Sequence, residues 1–278
     1  MFYVNGEEQA HIALSDRSFQ YGDGCFTTML IVDGHIQHWP LHQQRLDKAL
    51  SVLNIAKPDW IVVQGWLKKI LLSASPLKLQ YSGIKIHISR GCGGRGYNAI
   101  GADSPQITIH AFDYPTYYKH WQNDGVNLGI SVINLGLNPL LAGIKHNNRL
   151  EQVLIKSNIE HLSYDDVVVC DLNHKVIETS ASNLFWIKND YLYTSDLSSC
   201  GVAGTMRHQV LQLAQSLSLL PKVGSYLLQD LLDADEIFIS NALHGIVPVI
   251  SIDSMLHSEA QSYFIGTKTR DFQEKLNP

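Results

Sequence analysis

Short apolar stretches that alternate with polar positions, separated by tight turns, fill the first 40 residues of the chain. FYV runs through Asn5-Gly6 into AHIAL, and TTMLIV runs through Asp33-Gly34 into HIQHW; both turn dipeptides favour type I′ hairpins. A helix follows, which Pro40 opens. Its apolar face is formed by Leu46, Ala49, Leu50 and Leu53. A second helix at roughly 58–74 and two strands, GIKIHIS and QITIHAF, complete this part of the chain.

The remainder mixes strand and helix patterns. The strand VNLGISVI leads to an apolar loop that holds Lys145, and then to an amphipathic helix at about 147–162. This helix carries Leu150, Val153 and Leu154 at helical spacing. Two strand pairs follow, DVVVC with KVIET and NLFWIK with YLYTS, and the loop CGVAGTMR opens another helix. A helix near 226, the strand EIFIS, the loop NALHGIVPV and a C-terminal helix end the pattern.

This pattern predicts a mixed α/β protein with two lobes. We place a small N-terminal α/β domain at 1–115, a linker at 116–121 inside the polar and aromatic segment DYPTYYKHWQNDG, and a larger α/β domain at 122–278. The hairpins of the first lobe argue against a doubly wound parallel sheet there.

Composition narrows the class of protein. The 278 residues are 45% hydrophobic and 17% charged with a net charge of −5, so a nucleic-acid surface is not expected. No apolar run approaches the roughly 20 residues of a membrane helix, and the first residues lack the pattern of a signal peptide. The four cysteines are scattered, which is typical of free thiols in a reducing compartment. The sequence therefore predicts a cytoplasmic globular protein without nucleic-acid or membrane partners.

Several catalytic motifs can be set aside. RGCGGRG contains a G-x-G-x-x-G pattern, but the residues after it do not open the helix that a dinucleotide site needs. His38 and His42 are separated by Trp39-Pro40 and make a poor metal pair. No G-x-S-x-G motif occurs, and Cys25 is better explained as packing than as a nucleophile.

Three other features point to one chemistry when they are taken together. Lys145 lies at the end of an apolar loop, where a desolvated amine can form a Schiff base. Glu178 ends a strand, and a carboxylate held against a pyridine nitrogen keeps that ring protonated. GVAGTMR opens a helix and presents N–H groups to a phosphate. Each feature alone has an ordinary structural explanation, but the three together are the requirements of pyridoxal phosphate.

The order and spelling of six motifs resemble the fold-type IV pyridoxal-phosphate enzymes, which include D-amino-acid and branched-chain aminotransferases and 4-amino-4-deoxychorismate lyases. The motifs are RSFQYGDGCFTT, LHQQRLDKAL, LAGIKHNNRLEQVLIKS, IETSASNLFWI, GVAGTMR and ISNALHGIVPV. The resemblance implies two α/β lobes with the cofactor in the cleft between them, and a homodimer whose partner contributes to the rim of the active site. The spelling is closest to the bacterial lyases of the family.

The resemblance also implies a role for each matching residue. Lys145 would carry the cofactor and Glu178 would pair with its pyridine nitrogen, while Arg45 would hold its phosphate. The remaining cofactor-binding positions would be Ala181, Gly204, Thr205, Met206, Asn241 and Ala242. Met206 and the pair 241–242 depart from the hydroxyl-bearing residues usual in the aminotransferases, so backbone N–H groups are expected to bind the phosphate there.

The implied reaction converts 4-amino-4-deoxychorismate to 4-aminobenzoate and pyruvate by transimination, proton abstraction and β-elimination. Its substrate carries two carboxylates, for which Arg95 is the first candidate ligand, with Arg90 and His146 behind it. The alternative is a D-amino-acid or branched-chain aminotransferase of the same fold, because both activities use the same cofactor contacts. No metal is expected.

Overall fold

The computed structural model describes residues 1–73, 79–253 and 260–278, which form two compact units. The first unit comprises Met1–Pro115 and Ile144–Asn148, and the second comprises Thr116–Gly143 and Arg149–Pro278. The short segment around Lys145 therefore belongs to the first unit, although the sequence places it within the second lobe. The expected linker at 116–121 is also different, because a helix at Tyr117–Asp124 begins there.

Antiparallel pairing organises the first unit, as the hairpin pattern predicts. Within its described residues the strands form one sheet in the order β2-β1-β6-β5-β3-β4. The elements are β1 Phe2–Val4, β2 Glu7–Glu8, α1 Arg17–Tyr21, β3 Gly24–Val32, β4 His35–Ile36, α2 Trp39–Val52, α3 Trp60–Ser73, β5 Tyr81–Ser89 and β6 Gln106–Asp113. The final position of the expected second helix, residue 74, lies outside the described residues.

The two turn dipeptides adopt the backbone that their residue types favour. Asn5 and Gly6 have φ angles of 48° and 85°, and Asp33 and Gly34 have 48° and 75°, as type I′ hairpins require. AHIAL, however, is not a strand. The edge strand β2 ends at Glu8, because its partner β1 has only three residues to pair with.

Alternation along β5 separates a buried face from a more accessible one. Ile84, Ile86 and Ile88 are fully buried in the core of the first unit. Lys85 and His87 point to the opposite face and are partly exposed. The sheet thus offers a polar surface on the side away from its isoleucine core.

The second unit is built on a mixed sheet. Its described strands follow the order β12-β11-β10-β13-β14-β7-β8-β9, and a further pairing of β9 with β10 closes the strands from β10 to β9 into a ring. Its elements are α4 Tyr117–Asp124, β7 Val126–Ile130, α5 Leu150–Ile159, β8 Asp166–Cys170, β9 Val176–Thr179, β10 Asn183–Lys188, β11 Tyr191–Ser195, α6 Thr205–Leu213, β12 Leu220–Gly224, α7 Leu228–Leu232, β13 Glu236–Asn241, β14 Gly245–Ile252, β15 Gln261–Ser262 and α8 Thr267–Leu276.

Two predictions in this unit need correction. The expected loop NALHGIVPV is a strand from Gly245 onwards, because β14 lies between β13 and β7 and pairs with both. Helix α5 presents its apolar residues to the surface, since Leu150, Val153 and Leu154 are 77%, 56% and 56% exposed. Its buried positions are Ile155 and Ile159.

Adjacent aromatic residues on β10 build two separate cores, because successive side chains of a strand point to opposite faces. Phe185 stacks on Phe238 at 5.1 Å and packs with residues of α6 and α8. Trp186 packs in the other cluster with Leu184 and Ile237. Within the parts of the chain that the structure describes, no helix combines the length and apolar character needed to span a membrane.

Candidate active site

Lys145 is held by backbone pairing with the start of β3 in the first unit. The Phe26 N–H donates to the Lys145 carbonyl at 3.0 Å, and the Asn147 N–H donates to the Gly24 carbonyl at 3.0 Å. Glycine is needed at position 24, because a Cβ there would lie 2.5 Å from Asn147 Nδ2 and 2.1 Å from the Ile88 carbonyl oxygen. The close approach fixes where the lysine side chain leaves the backbone.

The side chain of Lys145 crosses an aromatic ring. Its Nζ lies 4.8 Å from the centre of the Phe26 ring, which is within the range of a cation–π contact. The lysine is partly buried, and so is His146, which forms an isolated β-bridge with Cys25. Cys25 is fully buried, and burial raises its thiol pKa to about 12, so it remains an inert packing residue, as the sequence indicated.

A hydrogen-bonded chain orients Arg45, the expected phosphate ligand. Arg45 Nη2 donates to Thr27 Oγ1, and the Thr27 hydroxyl lies 2.7 Å from Nδ1 of His42, to which it donates. His42 is buried, and desolvation lowers its pKa well below 6.5, so a neutral ring is available to accept this hydrogen bond. Desolvation likewise lowers the pKa of Arg45 to about 10.

Glu178 lies in the second unit, at the centre of a backbone clamp. It is 5% exposed on β9, and its Oε2 accepts the Val202 N–H at 2.9 Å. On the other side of Val202, the carbonyl accepts a hydrogen bond of 2.7 Å from Asn183 Nδ2. Arg149 is near enough for the Glu178 charge to raise its pKa, although desolvation lowers that pKa more. The carboxylate is therefore fixed to the loop that precedes α6.

The beginning of α6 is tied to the same clamp. The Gly204 N–H donates to Asn183 Oδ1 at 3.1 Å, and a Cβ at Gly204 would lie only 2.2 Å from that oxygen. Gly204 has no side chain to cap the helix, so the first N–H groups, of Thr205 and Met206, have no acceptor in the helix. The Met206 side chain is buried in the core, which leaves its backbone for anion binding.

The loop at 241–244 meets the turn that carries Ala181. Asn241 Nδ2 donates to Ser182 Oγ at 3.2 Å and approaches the Ala181 carbonyl at 3.5 Å, while its Oδ1 accepts the N–H groups of Leu243 and His244 at 2.9 Å each. The Asn241 carboxamide therefore serves mainly to shape the loop. Ala181 is exposed at the tip of its turn, and Ala242 follows Asn241 directly.

Asn183 is the functional residue that the sequence did not reveal. It pairs with Glu178 on β9 and with Ser240 on β13, and its side chain bonds Val202 and Gly204. The expected carboxylate, helix start and second phosphate loop of the second unit thus converge on one asparagine. Its only signal in the sequence is its place in the motif IETSASNLFWI.

The three candidates for substrate binding lie in the first unit in different settings. Arg90 donates to both Asp23 oxygens at 2.7 and 3.1 Å and to two backbone carbonyls at 2.8 Å each, which gives it a structural role and does not favour contact with substrate. Arg95 is exposed on the glycine loop. Arg17 braces this loop through four of its carbonyls, and His146 lies beside Lys145.

Comparison with known proteins identifies the family. Residues 24–252 match the family Amino-transferase class IV. An aminodeoxychorismate lyase of Vibrio harveyi is 46% identical over 277 residues, covering 100% of each chain. This chain therefore belongs to the class IV aminotransferases, the fold-type IV family of pyridoxal-phosphate enzymes.

Solved structures agree with this assignment. The crystal structure of 4-amino-4-deoxychorismate lyase from Pseudomonas aeruginosa has a TM-score of 0.90 and 30% identity, over 99% of this chain and 97% of that one. A hypothetical aminotransferase from Mycobacterium tuberculosis, solved in a pyridoxal-phosphate-bound form, has a TM-score of 0.81 over 99% and 96% of the two chains. At 17% identity the latter shows the shared fold alone.

The residues present fit pyridoxal phosphate. Arg45 Nε is buried and has no hydrogen-bond partner among the described residues, and the same holds for Ser240 Oγ, next to the second predicted phosphate loop. Together with the uncapped start of α6, these groups leave hydrogen-bonding capacity for an anion. In the described residues no group of three or more histidine, cysteine or acidic side chains could hold a metal ion.

His244 supports the 241–244 loop from beneath. Its Nδ1 lies 3.1 Å from the Gly245 carbonyl, to which it must donate, so Nε2 accepts from the Ser182 hydroxyl at 2.8 Å. The ring is 1% exposed, and desolvation lowers its pKa to about 4. The folded protein therefore holds this histidine neutral where an unfolded chain would protonate it.

This histidine should make stability dependent on pH. Because the folded pKa of His244 lies below the unfolded value near 6.5, its contribution is present above pH 6.5 and is lost as the pH falls towards 4. We expect the difference in unfolding free energy between the protein and His244→Gln to shrink over this range by about 1.4 kcal/mol per pH unit at most. Urea denaturation at several pH values measures it. The exposed His161→Gln is the control, and a pH-independent difference for His244→Gln would contradict the account.

Proposed function

We propose that this protein is a pyridoxal-phosphate-dependent lyase that converts 4-amino-4-deoxychorismate to 4-aminobenzoate and pyruvate, a step towards folate. The observation that carries the proposal is the single loop at 201–204, which bonds to the buried carboxylate of Glu178 and then starts the helix suited to a phosphate. The identity of 46% with the Vibrio harveyi aminodeoxychorismate lyase, over the whole length of both chains, supports the choice of reaction.

The cofactor contacts follow from the arrangement of each unit. In the second unit, Glu178 would hold a proton on the pyridine nitrogen, and the N–H groups of Gly204, Thr205 and Met206 would approach the phosphate. Asn241 shapes the loop in which Ala242 contributes its backbone, and Ala181 provides a small surface beside the ring. In the first unit, Arg45 would add a charge-assisted contact to the phosphate. Bound pyridoxal phosphate supplies an electron sink for the substrate carbon that carries the amine.

Lys145 has two tasks in this proposal. Its Nζ would first hold the cofactor and, once the substrate amine has replaced it, would take the proton from the ring carbon that bears nitrogen. The C–O bond to the enolpyruvyl group on the neighbouring carbon then breaks, and the departing group gains a proton to become pyruvate. The six-membered ring becomes aromatic, which makes the elimination strongly downhill. No external oxidant or amino acceptor is required.

An aminotransferase is the second candidate, since the Mycobacterium tuberculosis aminotransferase shares the fold. The two activities differ in the fate of the amine, which stays on the product ring in the lyase and passes to a 2-oxo acid in the aminotransferase. They are therefore separated by product analysis.

The reaction is tested with substrate generated in place from chorismate and glutamine by aminodeoxychorismate synthase. We expect the protein loaded with pyridoxal phosphate to release 4-aminobenzoate and pyruvate in equal amounts, and we expect Lys145→Ala to release neither. Chromatography of the products measures both. Absence of 4-aminobenzoate, with rapid turnover of D-alanine or a branched-chain amino acid and 2-oxoglutarate, would establish the aminotransferase instead.

Glu178→Gln should separate cofactor binding from chemistry. Glutamine fills the same space but does not hold the pyridine nitrogen protonated, so charge at the reacting carbon is stabilised poorly. We expect the visible absorbance of bound pyridoxal phosphate to persist while kcat falls by about a hundredfold or more. The exposed Glu274→Gln on α8 serves as the matched control. Full activity of Glu178→Gln would exclude this role.

A homodimer is also part of the proposal. Leu150, Val153 and Leu154 form an exposed apolar face on α5, of a kind that monomeric proteins rarely leave in contact with water. A second copy of the chain is the expected cover, and its glycine loop would bring Arg95 to the rim of the site. The four free cysteines are consistent with the cytoplasm as the location.

Sedimentation tests the dimer. We expect a mass near twice the 31.1 kDa of one chain, and a shift towards one chain in Leu154→Asp, because a buried charge at the interface is costly. Asn158→Asp, an exposed polar position of the same helix, should leave the dimer intact. A wild-type mass of one chain at micromolar concentration would refute the proposal.

A further inference from the structure

A second lysine of the first unit shares an aromatic ring with Lys145. Lys85 Nζ lies 4.4 Å from the centre of the Phe26 ring, and Lys145 Nζ lies 4.8 Å from the same centre. The two ammonium groups are therefore within about 9 Å of each other. Lys85 reaches this place because β5 pairs with β3 in a register that sets it opposite Thr28, two residues from Phe26.

Lys85 is a cation without an anion close by. In the described ranges of the chain no carboxylate lies within ion-pair distance of its Nζ. The side chain is partly buried, and desolvation lowers its pKa. The nearest titratable neighbours on the sheet, His87 and His110, have pKa values lowered by burial and further by the Lys85 charge, so they add no compensating charge. Holding an ammonium in such a place costs free energy that an anionic ligand would offset.

We propose that Lys85 binds a carboxylate of the substrate while Lys145 acts at its amine. The inference rests on the proposed function and gives this site a substrate-binding cation that the sequence did not indicate. The spacing fits: in a six-membered ring with a carboxylate opposite an amine, the two groups are about 6 Å apart, as bond lengths near 1.5 Å require. Phe26 lies between the lysines and offers an apolar surface for the ring of the substrate.

This assignment also explains why Arg90 is committed elsewhere. Arg90 is held by Asp23 and by two backbone carbonyls, so it maintains the fold near the glycine loop. Lys85 instead projects from a rigid central strand of the sheet, paired on both sides, which suits the positioning of a rigid dicarboxylate.

The test compares Lys85→Met, which keeps the aliphatic stem, with Lys85→Arg, which keeps the charge. Lys68→Met, an exposed lysine of α3, is the control. Chorismate is the binding probe, because it carries both carboxylates but has a hydroxyl in place of the amine and cannot react with the cofactor. Calorimetry measures its dissociation constant on the pyridoxal-phosphate-loaded protein, and initial rates give KM and kcat for aminodeoxychorismate.

For Lys85→Met we expect a ten- to hundredfold rise in both the chorismate dissociation constant and the KM, with unchanged cofactor absorbance, as loss of one charge-assisted contact predicts. Lys85→Arg should remain within about fivefold of wild type, and Lys68→Met should match it. Unchanged chorismate binding in Lys85→Met would overturn the proposal, including the case in which the variant only shifts the pH dependence of the cofactor absorbance. Failure of the wild type to make 4-aminobenzoate would overturn the proposed function, whereas the chorismate measurement tests Lys85 independently.

Discussion

The peptide group of Val202 is held from both sides, and the catalytic half of the second unit depends on this clamp. Glu178 accepts its N–H at 2.9 Å, and Asn183 donates to its carbonyl at 2.7 Å. Because the same asparagine accepts the Gly204 N–H, the position of the buried carboxylate and the start of α6 are set together. A buried carboxylate needs hydrogen bonds to remain charged, and here those bonds also position the anion-binding helix.

In the first unit, the equivalent constraint is the pairing of the Lys145 segment with β3. A few backbone hydrogen bonds to Gly24 and Phe26 hold a lysine that the chain reaches only after leaving the first unit and returning to it. The sheet then provides the rest of the surroundings from rigid strands: Phe26 below the amine and Lys85 beside it. Lysine chemistry and recognition of an anion can thus share one surface.

Local patterns predicted the hairpins of the first unit, since Asn5-Gly6 and Asp33-Gly34 determine their turns by residue type alone. Residues that combine into a cofactor site, such as Lys145 and Glu178, could be identified because the chemistry demands those side chains. Asn183 and Lys85 could not, because their importance comes from strand register and from what lies across the sheet. The exposed face of α5 shows a related limit: apolar periodicity identifies a face but not the surface that covers it.

The central claim is that Lys145 is the lysine that carries pyridoxal phosphate, and chemical trapping tests it most directly. The loaded protein is reduced with borohydride, digested and analysed by mass spectrometry for the peptide that carries the phosphopyridoxyl group. The account predicts modification of the peptide containing Lys145 and an unmodified Lys85, although the two amines lie within about 9 Å of each other. Modification of Lys85 or another lysine instead, or no modified peptide at all, would contradict it.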